Sequence, residues 1–563
     1  MRSSLYLCKH NDRHPWLSAA IWTGIALSPV TDAHAWDIRT AKPEIVIHMA
    51  GSTLADGFLH DVLRDTLCDS DTAWINASPL AAADSATGIA STYWGAACSL
   101  KTGAVPSIKG NPRLLFLKNG MDSSWGVYPL VQTVKGATAG SYATQRPADF
   151  PDIGKCEPGT ASSGWNWNCG GNQKALIDAG LSQIEPAMYL GANRPDDKSV
   201  TDITPAQLAL LSVTPFAAGL YGVTVNLNFR NALQEIQFGG PGNSCVNQES
   251  LACMPSLSRS QIIAVLTGQI QSWDQWHVQN GGMDKSVTDE SLTSAVYRTG
   301  SGSSLSAFDQ RVYICSRQKG AGTLAVFNAM LLSSPCSSNG GLKMSAGNAV
   351  SGPVVTVNTA TEFEQCMTEL DTGVLASGSK FTFPSATRAW AIGMQGTEKN
   401  ATRKKAYRFI RIDNIAPVQS NVWNGSYPLW AEFTLQWRSG MRNATASSYI
   451  KSPNPGANAV ASSTLNSGSN KLAILTVMAR AAGNAGAIAR FNTGKAHHGF
   501  GDAGYMALAG AFSDTPLADT SSYRPENPVL GYRHQNPVTS QLNTCSPATP
   551  RQPLSGPAGW PLL

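Results

Sequence analysis

What this sequence has least of is charge. Lys, Arg, Asp and Glu make up only 14% of its 563 residues and leave a formal net charge of +5, which excludes a broad basic surface of the kind that grips nucleic acid. Long apolar runs are also scarce. Outside the first 35 residues no stretch approaches the ~18 apolar residues of a membrane span, so none is expected in the mature chain. The nine histidines are scattered, and five of them (His10, His14, His34, His48 and His60) lie near the N-terminus. With no pair of Cys-x-x-Cys knuckles either, neither a metal nor any other cofactor is expected. His48 reads as a core residue of a buried strand, while the adjacent His497 and His498 would point apart and share no metal. Lys495 follows Gly494, but the preceding spacing does not complete a nucleotide-binding loop. No internal repeat is found.

What is present begins with an export leader. Arg2, Lys9 and Arg13 form a basic start, Trp16 to Val30 an apolar run, and Ala33-His34-Ala35 a small-x-small cleavage site before Trp36. The alternative is an uncleaved anchor. Removing the leader takes Cys8, which precedes the apolar run and is not placed like a lipidated cysteine. Ten cysteines then remain, and an even count in an exported chain points to disulfides made in an oxidising compartment. Pairing neighbours gives Cys68 with Cys98, Cys156 with Cys169, Cys245 with Cys253, Cys315 with Cys336, and Cys366 with Cys545, although sequence alone does not prove connectivity.

The body reads as alternating strands and helices, with Ser-rich junctions between them. Glu44 to Met49 is an apolar strand, Gly51-Ser52-Thr53 a junction, and Leu54 to Leu67 a helix by its apolar spacing. The strand Arg113 to Lys118 leads through Ser123-Ser124-Trp125-Gly126 to a helix over Val127 to Val134, and Ala175 to Leu181 leads to Ser182-Gln183. A strand pair is expected over Ala217 to Asn226, and a helix over Ser258 to Leu266, capped by Ser258 and closed by Gly268. Asp202 to Gln207 is a helix start rather than a calcium loop. Ala295 to Arg298 reads as a strand end, Thr299 to Ser304 as a Gly/Ser turn, and Leu305 to Val312 as a helix. A helix N-terminus carries unpaired N–H groups and partial positive charge, so this junction suits an oxyanion, although Gly-Ser-Gly-Ser is also an ordinary turn. Further elements follow at Gly352 to Val357, Phe363 to Leu370, Trp390 to Met394, Phe409 to Ile415 and Lys471 to Ala482. Such alternation predicts α/β lobes with mainly parallel sheets and a ligand at the strands' carboxyl ends.

The order of these pieces, from Ile45 to Leu429, resembles the phosphate-binding protein of bacterial ABC phosphate importers, a type II periplasmic binding protein. The resemblance rests on Gly51-Ser52-Thr53-Leu54, Ser123-Ser124-Trp125-Gly126, Gly180-Leu181-Ser182-Gln183, Leu257 to Trp273 with Asp274, Arg298 to Ser304, and Asn424-Gly425-Ser426-Tyr427-Pro428-Leu429. It implies two α/β lobes closing on a desolvated oxyanion by hinge motion. It divides the chain into a signal peptide (1–35), the first part of lobe 1 (36–214) with an insertion at 135–173, lobe 2 (215–384), a return to lobe 1 (385–438), and a C-terminal extension (439–563). It assigns ligand contacts to Ser52, Thr53 and Leu54, to Ser123 or Ser124, to Gln183, and to an arm from the opposite lobe made of Arg298, Ser301, Gly302 and Ser303. Arg298 offers charge-assisted donors in a fixed fork. Two departures stand out. Gln183 replaces a carboxylate that would accept the proton of hydrogen phosphate, and the arm is one residue short and lacks the acidic residue that orients the arginine.

The implied partners are inorganic phosphate or a related oxyanion and an ABC permease, with a periplasmic or extracellular location. Two rival readings stand beside this one. A phosphatase would need an activating base or metal near Ser301 or Ser303, and a non-enzyme is expected. A secreted scaffold or adhesin would account for the stretch Lys135 to Gln173, read as a surface excursion stapled by Cys156–Cys169, and for the tail, read as wrapping the body. Trp165, Trp167 and Trp560 are its candidate contact residues. Asn76, Asn400, Asn424 and Asn443 begin glycosylation sequons that matter only in a glycosylating host.

Overall fold

The computed structural model describes residues 37–77, 92–132, 145–159, 165–299, 307–347, 353–377, 379, 387–400, 403–443, 464–493, 504–509, 523–534 and 541–550. The leader, Ser301, Gly302, Ser303, the His497–His498 pair and Trp560 lie outside them. The apolar runs become strands of one large mixed sheet, so the chain is α/β. One half of the sheet runs, in spatial order, Trp430–Arg438, Ala179–Ser182, Ile45–Gly51, Arg113–Gly120, Thr92–Ser99, Ala73–Asn76, Trp167–Cys169 and Cys156–Pro158. The other half runs Val354–Val357, Ala307–Arg317 and Thr387–Gly396.

A single strand joins the halves. Leu211–Asn226, 16 residues long, pairs antiparallel with Trp430–Arg438 through Leu211–Leu220 and with Thr387–Gly396 through Tyr221–Val225. The expected strand pair is therefore one continuous strand. Its glycines are not turn residues: a Cβ on Gly219 would stand 2.4 Å from the Phe433 ring, and one on Gly222 2.5 Å from the Phe409 ring. Bare backbone there lets the two rings cover the crossing.

Within each half the central strands are parallel. Ile45–Gly51 runs parallel to Arg113–Gly120 and to Ala179–Ser182, so their carboxyl ends share one edge. Ala307–Arg317 runs parallel to Val354–Val357 and Thr387–Gly396. The helix Arg259–Leu266 opens on the expected cap, a reciprocal pair between Ser258 and Gln261. The helix at Asp202–Gln207 is confirmed as Pro205–Leu208, capped by Thr204. The segment around Arg298 departs from expectation. Ala295–Tyr297 is a single 3-10 turn, and Ala307–Arg317, which covers most of the expected helix, is a strand. Its β-branched and aromatic residues Val312, Tyr313 and Ile314 are buried in the sheet, and that tertiary burial overrides the helical reading.

Three disulfides join the expected neighbours, Cys68–Cys98, Cys156–Cys169 and Cys245–Cys253. The other two are Cys315–Cys366 and Cys336–Cys545, not the neighbour pairs. Cys315 lies on the Ala307–Arg317 strand, and the helix Ala360–Thr372 packs on that strand and brings Cys366 within 6.2 Å, Cα to Cα. Cys336 follows the helix Gly322–Leu332 and is left to the returning tail.

The insertion and the tail are built into the body. Trp167–Cys169 pairs with Ala73–Asn76 and extends the sheet, which corrects the surface-excursion reading, and Trp167 is buried beneath Arg39. Trp165 meets His60 edge-on. In the tail, Gly468–Ala482 buries Ile474, Leu475 and Met478, and its Lys471 Nζ lies 2.9 Å from Asp178 Oδ1 with both groups buried. The strand Tyr505–Leu508 pairs with Ala217–Gly219 of the crossing strand. The tail thus supplies core and sheet instead of only wrapping them. Among the described residues no single helix is long and apolar enough to cross a membrane, and Gly468–Ala482 with Ala485–Thr493 is bent by 58°.

Candidate functional site

Two strands and the 3-10 turn Ser123–Gly126 that follows a third meet because three glycines let their backbones touch. A Cβ on Gly51 would lie 2.1 Å from the Leu181 carbonyl oxygen, one on Gly126 2.4 Å from the same atom, and one on Gly180 1.6 Å from the Gly126 carbonyl oxygen. Any side chain at these positions would force the strands and this turn apart. The approach carries Ser52, Ser123, Ser124 and Gln183 into one buried cluster.

Gln183 is the hub of that cluster. Its Nε2 donates to Ser52 Oγ at 2.7 Å, and its backbone N–H donates to Ser123 Oγ at 3.4 Å. Its Oε1 accepts from Tyr221 on the crossing strand and from Thr323 Oγ1 of the second half, each at 3.1 Å. Ser52 Oγ also accepts the Leu54 N–H at 3.1 Å, closing the turn after the first strand. Beneath this turn the fully buried Lys118 donates to the carbonyls of Gly51 (2.8 Å) and Ser52 (3.0 Å) and faces Asp56 at 3.3 Å. Burial pulls its pKa below the ordinary lysine value, opposed by Asp56. Thr53, by contrast, is exposed and takes no part.

The second half enters through Arg317 to Thr323, not through Arg298. The Ala307–Arg317 strand ends at Arg317, and Gly320-Ala321-Gly322-Thr323 opens the apolar helix Gly322–Leu332. Gly320 accepts the Ser124 N–H through its carbonyl at 3.0 Å. At Gly322 a Cβ would stand 2.4 Å from Ser123 Oγ and 2.6 Å from Gln183 Cβ, so the helix terminus presses on the cluster. Arg298 lies elsewhere: its guanidinium pairs with Glu290 at 3.5 Å, and among the described residues no contact joins it to Ser52, Ser123 or Gln183.

Arg317 meets a carboxylate from the first half. Its Nη2 donates to Asp122 Oδ1 at 3.1 Å and to the Asn358 carbonyl at 2.7 Å, while Gln318 Nε2 donates to Asp122 Oδ2. Burial raises the Asp122 pKa to about 6 against the pull of Arg317, and burial likewise lowers that of Arg317. Two buried donors here have no acceptor, Arg317 Nε and Ser124 Oγ. An unpaired buried donor costs about 1–3 kcal/mol, and Arg298 Nε is buried without an acceptor as well.

The residues missed from sequence were therefore Arg317, Thr323, Asp122, Tyr221 and Lys118. A signal for the arm existed: an arginine closing an apolar strand, then Gly-x-Gly-Thr before an apolar helix. The Gly/Ser-rich segment after Arg298 imitated it. Asp122 and Lys118 carried no pattern, because only the close packing of distant strands gives them partners.

No family model and no curated protein matches this chain. Among solved structures it is similar to an ABC-type phosphate transport receptor from Vibrio cholerae, at 12% identity and TM-score 0.29 over 70% of this chain and 87% of that one. It is similar to PstS from Borrelia burgdorferi at 9% identity and TM-score 0.27, over 70% and 87%. A human phosphate binding apolipoprotein is similar at 9% identity and TM-score 0.26, over 54% and 79%. Likenesses this distant carry no assignment of function.

Proposed function

We propose that this chain is an exported solute-binding protein that takes up a small oxyanion, phosphate first among the candidates, between its two sheet halves. The observation that carries the reading is the pair of orphaned buried donors, Arg317 Nε and Ser124 Oγ, on the two segments that meet at Asp122. An oxyanion presents several acceptor oxygens, and Arg suits it through charge-assisted, forked donation. The N-terminus of Gly322–Leu332 adds partial positive charge at the same junction. Export is supported by five disulfides among the described residues, and a periplasmic or extracellular location with an importer permease as partner belongs to this reading.

The test is titration calorimetry of protein unfolded, washed and refolded with its disulfides intact, against phosphate, phosphonate, sulfate and molybdate. One anion should bind with micromolar or tighter affinity, about 8 kcal/mol or more. Arg317→Ala should weaken that binding at least a hundredfold, whereas Arg298→Ala should leave it within a factor of about three. The reverse pattern would restore Arg298 as the arm.

A second reading, a secreted scaffold, is favoured by one observation. Cys336, which follows the Gly322–Leu332 helix of the second half, is bonded to Cys545, and the adjacent Thr544 N–H donates to Glu185 Oε1 of the first half at 2.6 Å. Such a tie holds the halves together without a solute. Silence from all four anions would favour it.

A further inference from the structure

Asp122 is in an unusual place for a site that would receive an anion. It follows the Arg113–Gly120 strand of the first half, is buried, and directs both carboxylate oxygens at the arm of the second half, to Arg317 and Gln318. The Arg317 side chain is itself 12% exposed, so the pair is withdrawn from water. A carboxylate in this position does what an oxyanion would do: it neutralises Arg317 and joins the halves. We infer that Asp122 is a built-in counter-anion that occupies Arg317 and competes with the incoming solute, so that it sets both the affinity and the charge selectivity of the site. This rests on the oxyanion reading above.

The physical reason is that two anions share one cation poorly in a dry site. A solute anion that accepts from Arg317 Nε comes close to the Asp122 carboxylate, and like charges at such range in a poorly solvated environment repel strongly. Uptake therefore requires Asp122 either to turn away from Arg317 or to take up a proton. The charged and titratable groups facing it are few. Arg317 comes from the Ala307–Arg317 strand, Tyr189 from the first half, and Glu362 of the helix Ala360–Thr372 acts on Arg317 from behind. Gln318 is neutral. None of these supplies a second cation to hold two anions at once.

The same geometry gives Gln183 a different role from the one its place in sequence suggested. Its amide donates to Ser52 and accepts from Tyr221 and Thr323, and it carries no charge. The carboxylate that discriminates among anions is then Asp122, on the neighbouring strand end.

The experiment compares wild type with Asp122→Asn, which keeps size and removes charge. Phosphate affinity is measured by calorimetry at pH 7.5, 6.5 and 5.0. The ratio of the two affinities cancels phosphate's own titration. At pH 7.5 the variant should bind at least tenfold tighter, and the ratio should fall toward one by pH 5.0 as the wild-type carboxylate protonates. Equal affinity at pH 7.5, or weaker binding by the variant, overturns the competitor role while leaving the oxyanion reading intact. Absence of binding by both proteins to phosphate and to sulfate overturns the oxyanion reading and this inference with it. Should the variant not fold, wild type alone decides with sulfate, whose charge is constant from pH 5 to 8. Its affinity should rise as pH falls through about 6, where Asp122 titrates, and a flat profile or no binding overturns the role.

Discussion

Side chains that matter most here act by what they leave room for or leave unpaired. Gly322 shows the first. Its missing Cβ is the space in which Ser123 Oγ and Gln183 Cβ sit, at 2.4 and 2.6 Å from where that atom would be. Gly322→Ala should therefore destabilise the protein by about 1–3 kcal/mol, the usual cost of overpacking, in chemical denaturation. A change under about 0.5 kcal/mol would mean that the helix terminus is not pressed against the cluster. Arg317 shows the second, since a guanidinium held by Asp122 and the Asn358 carbonyl still leaves Nε without an acceptor. At this scale the sequence was partly legible. The family resemblance points to Ser52, to Ser123 or Ser124, and to Gln183 at strand-to-helix junctions, and the structure brings these residues into one buried cluster. Thr53 was picked on the same grounds and is exposed, because a junction's period does not say which of two adjacent hydroxyls turns inward.

Elements were legible where their signals were local. The Ser258–Gln261 cap opens its helix, and Gly268, with φ of 74°, closes it. They were misread where burial on a neighbouring element decided the outcome, as at Ala307–Arg317, where pairing with two parallel strands overrides an apparent helical turn. The cysteines divide in the same way. Pairs 30 or fewer residues apart matched the neighbour rule, whereas Cys336 and Cys545 are separated by 209 positions. Replacing both with serine should cost about 2–5 kcal/mol, since the closed loop is long, and should speed proteolytic release of the tail under native conditions. Peptide mapping of the unreduced protein should recover Cys315–Cys366 and Cys336–Cys545 as cystine peptides. Recovery of Cys315–Cys336 would refute the pairing.

For the whole molecule, the tail is tied to the second half by Cys336–Cys545 and to the first half by buried ionisable groups, which makes the latter attachment sensitive to pH. His534 Nδ1 lies 2.9 Å from Glu432 Oε2, both buried, and Thr544 binds Glu185. Burial opposes charge on His534, but Glu432 and Glu185 outweigh it and raise its pKa above 6.5. A raised histidine contributes stability that is fully present below its unfolded value and is lost as pH rises through the folded one. Glu432 is held below its ordinary 4.5: burial would raise it, but His534 outweighs that. Its contribution is therefore lost as pH falls through that depressed value. Asp122 acts in the same sense as His534, since a carboxyl raised to about 6 costs stability once it ionises. The melting temperature should consequently be higher at pH 6 than at pH 8.5, and His534→Gln should flatten that difference. An identical melting temperature at both pH values in wild type would remove this account of the anchor.

By itself the sequence determined the α/β character, three of the five cysteine pairings and the Ser-lined strand ends, because periodicity, caps and counts are local properties of the chain. Only the tertiary structure decided that Leu211–Asn226 crosses as one strand, that the tail enters the sheet, and that Thr323 meets the serine cluster while Arg317 meets Asp122 beside it. Each of these depends on which distant surfaces bury one another and which buried charges find partners, and neither is encoded at any single position.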